Sequence, residues 1–459
     1  MTEPLRVAVV GAGPAGIYAS SILQNRAAEL GFEARIDLFE SLPAPYGLIR
    51  YGVAPDHPRI KGIVNSLHEM LSSENIRLIG NTHVGKDISV ENLRTLYHAV
   101  IFATGAQADA PNSLPGSNLR GSFGAADFVS WYDGHPDVAR EWPLDAEEIA
   151  VLGHGNVALD VARVLAKQPH DMLATDIPDN VYAGLRASAA RDIHLFGRRG
   201  PSQIKFTPIE LRELGEVSEV DIILDESDFT RPDATSEPAM PGNQAKIMAR
   251  ILQSWRDRTG TGAARRLHLH FWHNPIEVLG TDQVSGIRFE RTRLGAQGKL
   301  EGTGEIVDYS VQAVYRAIGY HGSPVAELPF DERAGVIPNE SGRVVDGSGR
   351  STGLYVTGWI KRGPVGLIGH TKGDASETVE SLLSDFRDTP LATRPGSDAI
   401  LSLLSDAGVR FTSWDGWLAL DAHEISLGSQ FNGDIERSRI KVVDRDEQVE
   451  ISSAAQVAV

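Results

Sequence analysis

The chain has 459 residues, 41% of them hydrophobic and 23% charged, with a formal net charge of -17 and no cysteine. That length points to two or three domains, and no stretch approaches the roughly 18 apolar residues a membrane-spanning helix needs. The lack of such a stretch argues against integral membrane contact, the acidic balance argues against nucleic acid or anionic lipid as partners, and without thiols the chain cannot house a redox dithiol or a thiolate-held iron–sulfur cluster.

The run Leu5–Val10 is apolar and β-branched, as in a buried parallel strand. Strand character from Arg6 leaves no room for a signal or transit peptide, so a cytoplasmic protein is expected. Gly11, Gly13 and Gly16 then follow with the spacing of a dinucleotide-binding turn. Gly11 allows the tight turn, Gly13 lets the backbone approach a pyrophosphate, and Gly16 lets the helix pack closely on the strand. Pro14 opens that helix, in which Ala19, Ile22, Leu23, Ala27 and Leu30 recur at helical spacing before Gly31. The next strand, Ile36–Glu40, becomes a parallel neighbour of the first by right-handed crossover. Its last residue, Glu40, can accept hydrogen bonds from ribose hydroxyls and repels a 2′-phosphate, so this site is expected to hold FAD or NAD rather than NADP.

Ala99–Gly105 reads as a strand running into a turn. A second unit of the same form starts at Glu148–Leu152, turns through Gly153, His154, Gly155, Asn156, Val157 and Ala158, and continues as a helix through Val161, Val164 and Leu165. Extra helix is expected near Asp179–Ala190, and the second strand is Asp192–Phe196. Here Ala158 replaces the third glycine, and the strand leads into Gly197, Arg198, Arg199 and Gly200. Paired guanidinium groups suit a 2′-phosphate, which selects NADPH over NADH. Two such sites form a physical pair, since NADPH gives up two electrons together and a flavin can release them singly. Asp225–Asn243 is expected to be a surface excursion, and the polar end Glu447–Val459 to fray. Gln312–Gly319 repeats the character of Ala99–Gly105, so these two runs are expected to be the crossings between domains. No metal site is expected.

The segment Ser41–Pro58, followed by Gly155–Asp160, Gly197–Pro201, Glu210–Leu214 and Gly358–Gly369, closely resembles the adrenodoxin reductase family and its bacterial ferredoxin–NADP reductases, in the family's order as far as about Leu383. The resemblance implies an α/β fold of two Rossmann-like dinucleotide-binding domains, FAD and NADP, the NADP domain inserted in the FAD domain. Residues 1–106 and 322–459 would form the FAD domain with a C-terminal extension, and 107–321 the NADP domain. It implies FAD contacts at Ala15, Glu40, Leu48 and Val84, with Trp359 and the turn Gly366, Leu367, Ile368 near the flavin ring. On the NADP side it implies His154, Gly155, Asn156, Val157, Arg198, Arg199 and Glu210, with Gly366 where nicotinamide meets flavin. His57 would lie near the flavin and Glu210 near the carboxamide, as positioning groups or proton relays.

The implied acceptor is a ferredoxin-type [2Fe–2S] protein, often supplying a cytochrome P450. Arg50, Arg59, Lys61, Lys361 and Arg362 are candidate docking charges. One departure from the pattern is Asp109 and Ala110, where relatives can carry Arg, so weaker NADPH binding is expected. The competing readings are an NADPH-dependent flavin oxidase or oxygenase acting on a small organic substrate, and a non-catalytic flavin redox sensor.

Overall fold

In the computed structural model Leu5–Val10 is a strand buried at every position, as a parallel strand covered on both faces must be. Val7 and Val9 face one core, shared with Ile17, Leu23, Leu382 and Trp417. Ala8 and Val10 face the other, with Val90, Leu93, Ile400 and Leu404. The structure describes residues 3–204, 206–230, 242–295, 298–366, 368–387 and 389–456.

Two compact units result, the first made of Met1–Ala108, Asp133–Asp137 and Tyr320–Val459, the second of Asp109–Tyr132 and Val138–Gly319. Residues 133–137 lie within the segment expected to form the inserted domain, yet group with the first unit, where Lys61 and Lys441 both reach Asp133.

The first unit is built on a seven-stranded sheet, ordered Asn339–Glu340, Arg343–Asp346, Gly349–Val356, Ala99–Phe102, Leu5–Val10, Ala34–Phe39, Ile76–Ile79. The last five strands run parallel, in registers such as Leu354↔Val100, Val7↔Ala99, Leu5↔Ala34 and Ile36↔Ile76. The helix Pro14–Glu29 supplies the crossover between the two strands of the first glycine motif, and Gly31 leaves it with a left-handed φ of 82°.

A six-stranded parallel sheet forms the second unit, ordered Ser122–Gly124, Ala313–Arg316, Glu148–Leu152, Asp192–Phe196, Arg265–His270, Val220–Leu224. An antiparallel sheet of His273–Gly280, Val284–Leu294 and Leu300–Tyr309 accompanies it. The expected helices appear as Asn156–Ala166 and Asp179–Arg186. The run Gln312–Gly319 contributes the strand Ala313–Arg316 to the interior of this sheet.

Two expectations fail. The stretch expected to fray is helical as far as it is described: Arg445–Gln456 is a helix that buries Gln448, Val449 and Ser452 completely or nearly so, and residues 457–459 lie outside the described residues. Its most deeply buried residues, Gln448 and Ser452, are polar, with Gln448 Nε2 donating to Val442 O at 2.7 Å, so hydropathy gave little sign of it. The stretch after Asp225 is not all surface either, because Asp228 is fully buried, 2.6 Å from the Arg291 guanidinium. Residues 231–241 of that stretch lie outside the described residues.

Candidate functional site

In the first unit Gly11 adopts φ 108°, and a Cβ there would meet Ala103 O at 2.5 Å. A Cβ on Gly16 would sit 1.9 Å from Gly11 O, so the helix can lie against the turn only with glycine at that position. Gly13 differs: its Cβ would find only Gly47 Cα, at 3.9 Å. As N-cap of the helix, Gly13 provides no side-chain hydrogen bond, and the first turn carries no acidic residue. The leading N–H groups of that helix therefore keep their capacity for an anion.

Glu40 follows the second strand and is buried. Its Oε2 accepts from Ala12 N at 2.9 Å and its Oε1 from Leu42 N at 3.1 Å and Ser41 Oγ at 3.1 Å. Burial pushes its carboxyl up, and these donors oppose that shift. Each oxygen has two lone pairs, so Oε1 is filled and Oε2 keeps one for a ribose hydroxyl.

The 41–58 segment folds over this turn, with Tyr46 N donating to Ala12 O at 2.8 Å. Leu48 opens the short helix Leu48–Tyr51, and His57, buried, precedes the turn Pro58–Lys61. Val84 is buried among the second core's residues. From the far end of the chain, Gly358 comes so close that its Cβ would lie 2.6 Å from Ala15 Cβ, which sets the half-buried Trp359 beside the glycine turn. Gly358 N is held by Asp374 Oδ2 at 2.5 Å. Gly366 is exposed with φ 90°, and Ile368 opens the helix Ile368–Phe386; Leu367 lies outside the described residues.

The second unit repeats the arrangement. Gly153 has φ 132°, and a Cβ on it would meet Ala317 O at 2.3 Å. A Cβ on Gly155 would meet nothing within 4 Å. The helix Asn156–Ala166 again has a glycine N-cap without a side-chain bond and no acid in its first turn. Gly197, after the second strand, faces this turn, since its Cβ would strike the His154 ring at 2.0 Å. The His154 Nε2 atom is shielded from solvent and has no hydrogen-bond partner among the described residues, as expected of a group whose partner is a bound nucleotide.

Beyond Gly197, Arg198 is exposed and Arg199 half-buried, and neither guanidinium has an ion pair among the described residues. Their backbone is fixed from beneath: Thr292 Oγ1 donates to Arg198 O at 2.6 Å, Trp272 N to Arg199 O at 3.2 Å, and a Cβ on Gly200 would hit the Trp272 ring. Trp272 and Thr292 escaped the sequence reading because nothing local marks them. Trp272 is a buried non-glycine residue at φ 62°. Glu210 is buried in the helix Pro208–Leu214, whose N-cap Thr207 accepts from Glu210 N. Asp109 has a structural task, its Oδ1 accepting from Ala126 N at 3.1 Å at the start of the helix Ala125–Tyr132.

Burial pushes His154 down to about 4 and His273, beside the Arg291 guanidinium, down to about 3. An unfolded imidazole takes up its proton near 6.5, whereas these folded ones resist protonation until far lower pH. Their contribution to stability is complete above about pH 6.5 and is lost as pH falls from there toward 4. Urea midpoints for the second unit should therefore drop steadily between pH 7 and pH 4.5. A flat profile would show that these rings are not buried neutral.

Of the candidate docking charges, Arg50 and Lys361 must be withdrawn. Arg50 is buried against Glu424 at 2.5 Å, and Lys361 is buried against Asp374 at 2.8 Å and Glu377 at 2.5 Å. Lys61 is largely covered and paired with Asp133 at 3.2 Å, and Arg362 lies 3.6 Å from Asp374. Arg59 stays exposed.

A family model described as pyridine nucleotide-disulphide oxidoreductase matches residues 5–192. Across nearly its whole length the chain is 38% identical to the rat (Rattus norvegicus) mitochondrial NADPH:adrenodoxin oxidoreductase, covering 97% of this chain and 91% of that one. It is 36% identical to the NADPH-ferredoxin reductase FprA of Mycobacterium tuberculosis, covering 98% and 99%. The chain belongs to the adrenodoxin and ferredoxin reductase family. The solved structure of M. tuberculosis FprA in complex with NADPH superposes on it with a TM-score of 0.90, at 35% identity and with 98% and 100% coverage. Membership agrees with FAD and NADP as the cofactors of the two glycine turns. The disulphide chemistry in the wider family's description has no counterpart here, as the chain has no cysteine. Among the described residues no helix is long and apolar enough to cross a membrane.

Proposed function

We propose that this reductase draws hydride from NADPH onto FAD and passes the electrons one at a time to a ferredoxin-type [2Fe–2S] protein, which can supply a cytochrome P450. One observation carries the reading: two glycine turns of the same build, neither with a side-chain cap, end in opposite charge, Glu40 in the first unit and, in the second, Arg198 and Arg199, which have no ion pair among the described residues. A carboxylate at the ribose position excludes a 2′-phosphate and two guanidinium groups require one, so FAD belongs to the first unit and NADPH to the second. When bound, FAD supplies the conversion from a two-electron donor to a one-electron acceptor.

The protein's own groups bind and orient. The N–H groups at the starts of Pro14–Glu29 and Asn156–Ala166 hold the pyrophosphates, and Glu40 fixes the FAD ribose. Ala15, Leu48, Val84, Trp359 and Gly366 shape the flavin pocket. His154, Asn156 and Val157 line the NADP turn. Hydride transfer needs no general base, so the buried His57 and Glu210 act as positioning groups.

With no cysteine to hold a cluster, the electrons leave the chain at a surface. Of the charges considered, exposed Arg59 is placed to meet an acidic ferredoxin. A coupled assay tests both points, with NADPH, a [2Fe–2S] ferredoxin and cytochrome c as final acceptor. Cytochrome c reduction should depend on the ferredoxin, and Arg59→Glu should lower it several-fold at low salt while leaving ferricyanide reduction unchanged. Ferredoxin-independent turnover refutes the acceptor, and equal loss in both assays refutes the docking role.

A further inference from the structure

Three histidines of the second unit gather on two adjacent strands of its parallel sheet. His194 lies on the strand Asp192–Phe196, His268 and His270 on the adjacent parallel strand Arg265–His270, in a register that sets His194 opposite His268. Side chains alternate along a strand, so 268 and 270 share a face, and the register brings 194 to the same one. One ring nitrogen from each lies within 4.8 Å of the others. The His268 and His270 rings are parallel to within 3°, and His194 is tilted from them by 19° and 21°.

The spacing suits an ion. His194 Nδ1 and His270 Nε2 stand 3.0 Å apart, close to the roughly 3.3 Å chord between two nitrogens bound at about 2.0–2.1 Å to a tetrahedral zinc ion. The outer nitrogen of His194, Nε2, lies 3.0 Å from Glu148 Oε2, and His268 Nε2 lies 2.7 Å from Asp192 Oδ1. Asp192 is itself gripped by Arg266 at 2.6 and 2.5 Å. A carboxylate behind an imidazole is the arrangement that orients metal-binding histidines and raises their basicity. Burial also pushes all three rings toward the neutral, ligating form. The cluster is only partly covered, so an ion can reach it from solvent.

We propose that His194, His268 and His270 form a binding site for a divalent transition-metal ion of the zinc type, with the fourth position open to water. Imidazole sets of this kind favour zinc, nickel and copper over magnesium or calcium. The ion would tie together two neighbouring strands of the second unit. One runs directly into Gly197–Arg199, and His270 O accepts from Gly197 N at 2.9 Å, so the bridge braces the root of the arginine turn.

The test is calorimetric titration of the EDTA-treated, desalted holoprotein with zinc chloride at pH 7.5, alongside its thermal unfolding. One zinc per chain with micromolar or tighter affinity, and a rise in the unfolding midpoint, is the expected result. His268→Asn and His194→Gln should each weaken binding at least tenfold, whereas His83→Asn, at an exposed histidine of the other unit, should not. Zinc binding that persists in both cluster variants overturns the proposal. So does the absence of saturable binding and of a midpoint shift in the unaltered protein, whether or not the variants fold.

Discussion

Replacing Arg198 and Arg199 together by alanine is expected to lower kcat/KM for NADPH by roughly 100- to 10,000-fold while leaving that for NADH within about twofold. The size follows from losing two charge-assisted bonds worth about 1.5–3 kcal/mol each. The sparing of NADH follows because the turn does not depend on these side chains for its shape. Its carbonyls are held by Thr292 Oγ1 and Trp272 N, and its glycines pack on His154 and Trp272. Ferricyanide reduction measured with each nucleotide decides the matter. Unchanged selectivity would remove the 2′-phosphate from this turn, and parallel losses with both nucleotides would mean that the turn had collapsed.

The second large effect concerns a pair with no part in electron transfer. Glu424, in the helix Trp414–Ser429, is fully buried and meets Arg50 through both oxygens, at 3.0 and 2.5 Å. It also accepts from Val442 N at 3.0 Å, while Lys441 Nζ donates to Arg50 O at 2.9 Å. Arg50 lies over the rings of Tyr51 and Trp417, and Trp417 packs edge-on against Tyr46. The helices after residue 413 thus pin the segment that covers the first glycine turn.

Glu424→Gln leaves a buried guanidinium without its counter-charge, a loss of about 3–5 kcal/mol. We expect a lower urea midpoint for the first unit and faster release of FAD on dilution. The double replacement Arg50→Met with Glu424→Leu should recover part of the stability, because it removes the unpaired buried charge, but not all of it, because Val442 N and Arg439 lose Glu424 as their partner. Wild-type stability in Glu424→Gln would show that the pair is not buried as described.

The two glycine motifs, their flanking strands and the Glu40 versus Arg198–Arg199 contrast were all legible, since each is a local pattern with a local physical cause. Leu5–Val10 and Glu148–Leu152 appear as strands over those bounds. What escaped was long-range or polar. Arg50 and Lys361 read as surface charges because their partners lie at Glu424 and at Asp374 and Glu377, and no spacing reveals such pairs. The terminal helix Arg445–Gln456 buries Gln448 and Ser452 where an amphipathic pattern would show aliphatics. Asp228 sits in a composition typical of loops yet neutralises the buried Arg291. The histidine cluster joins residues 194, 268 and 270, which only the parallel register brings together.

Anaerobic stopped-flow mixing of the flavin-loaded protein with NADPH, followed by a [2Fe–2S] ferredoxin, tests the central claim most directly. Rapid bleaching of the flavin by NADPH but not by NADH, then fast reoxidation by the ferredoxin, is the predicted result. Bleaching that the ferredoxin cannot reverse, or equal bleaching by NADH, would contradict it.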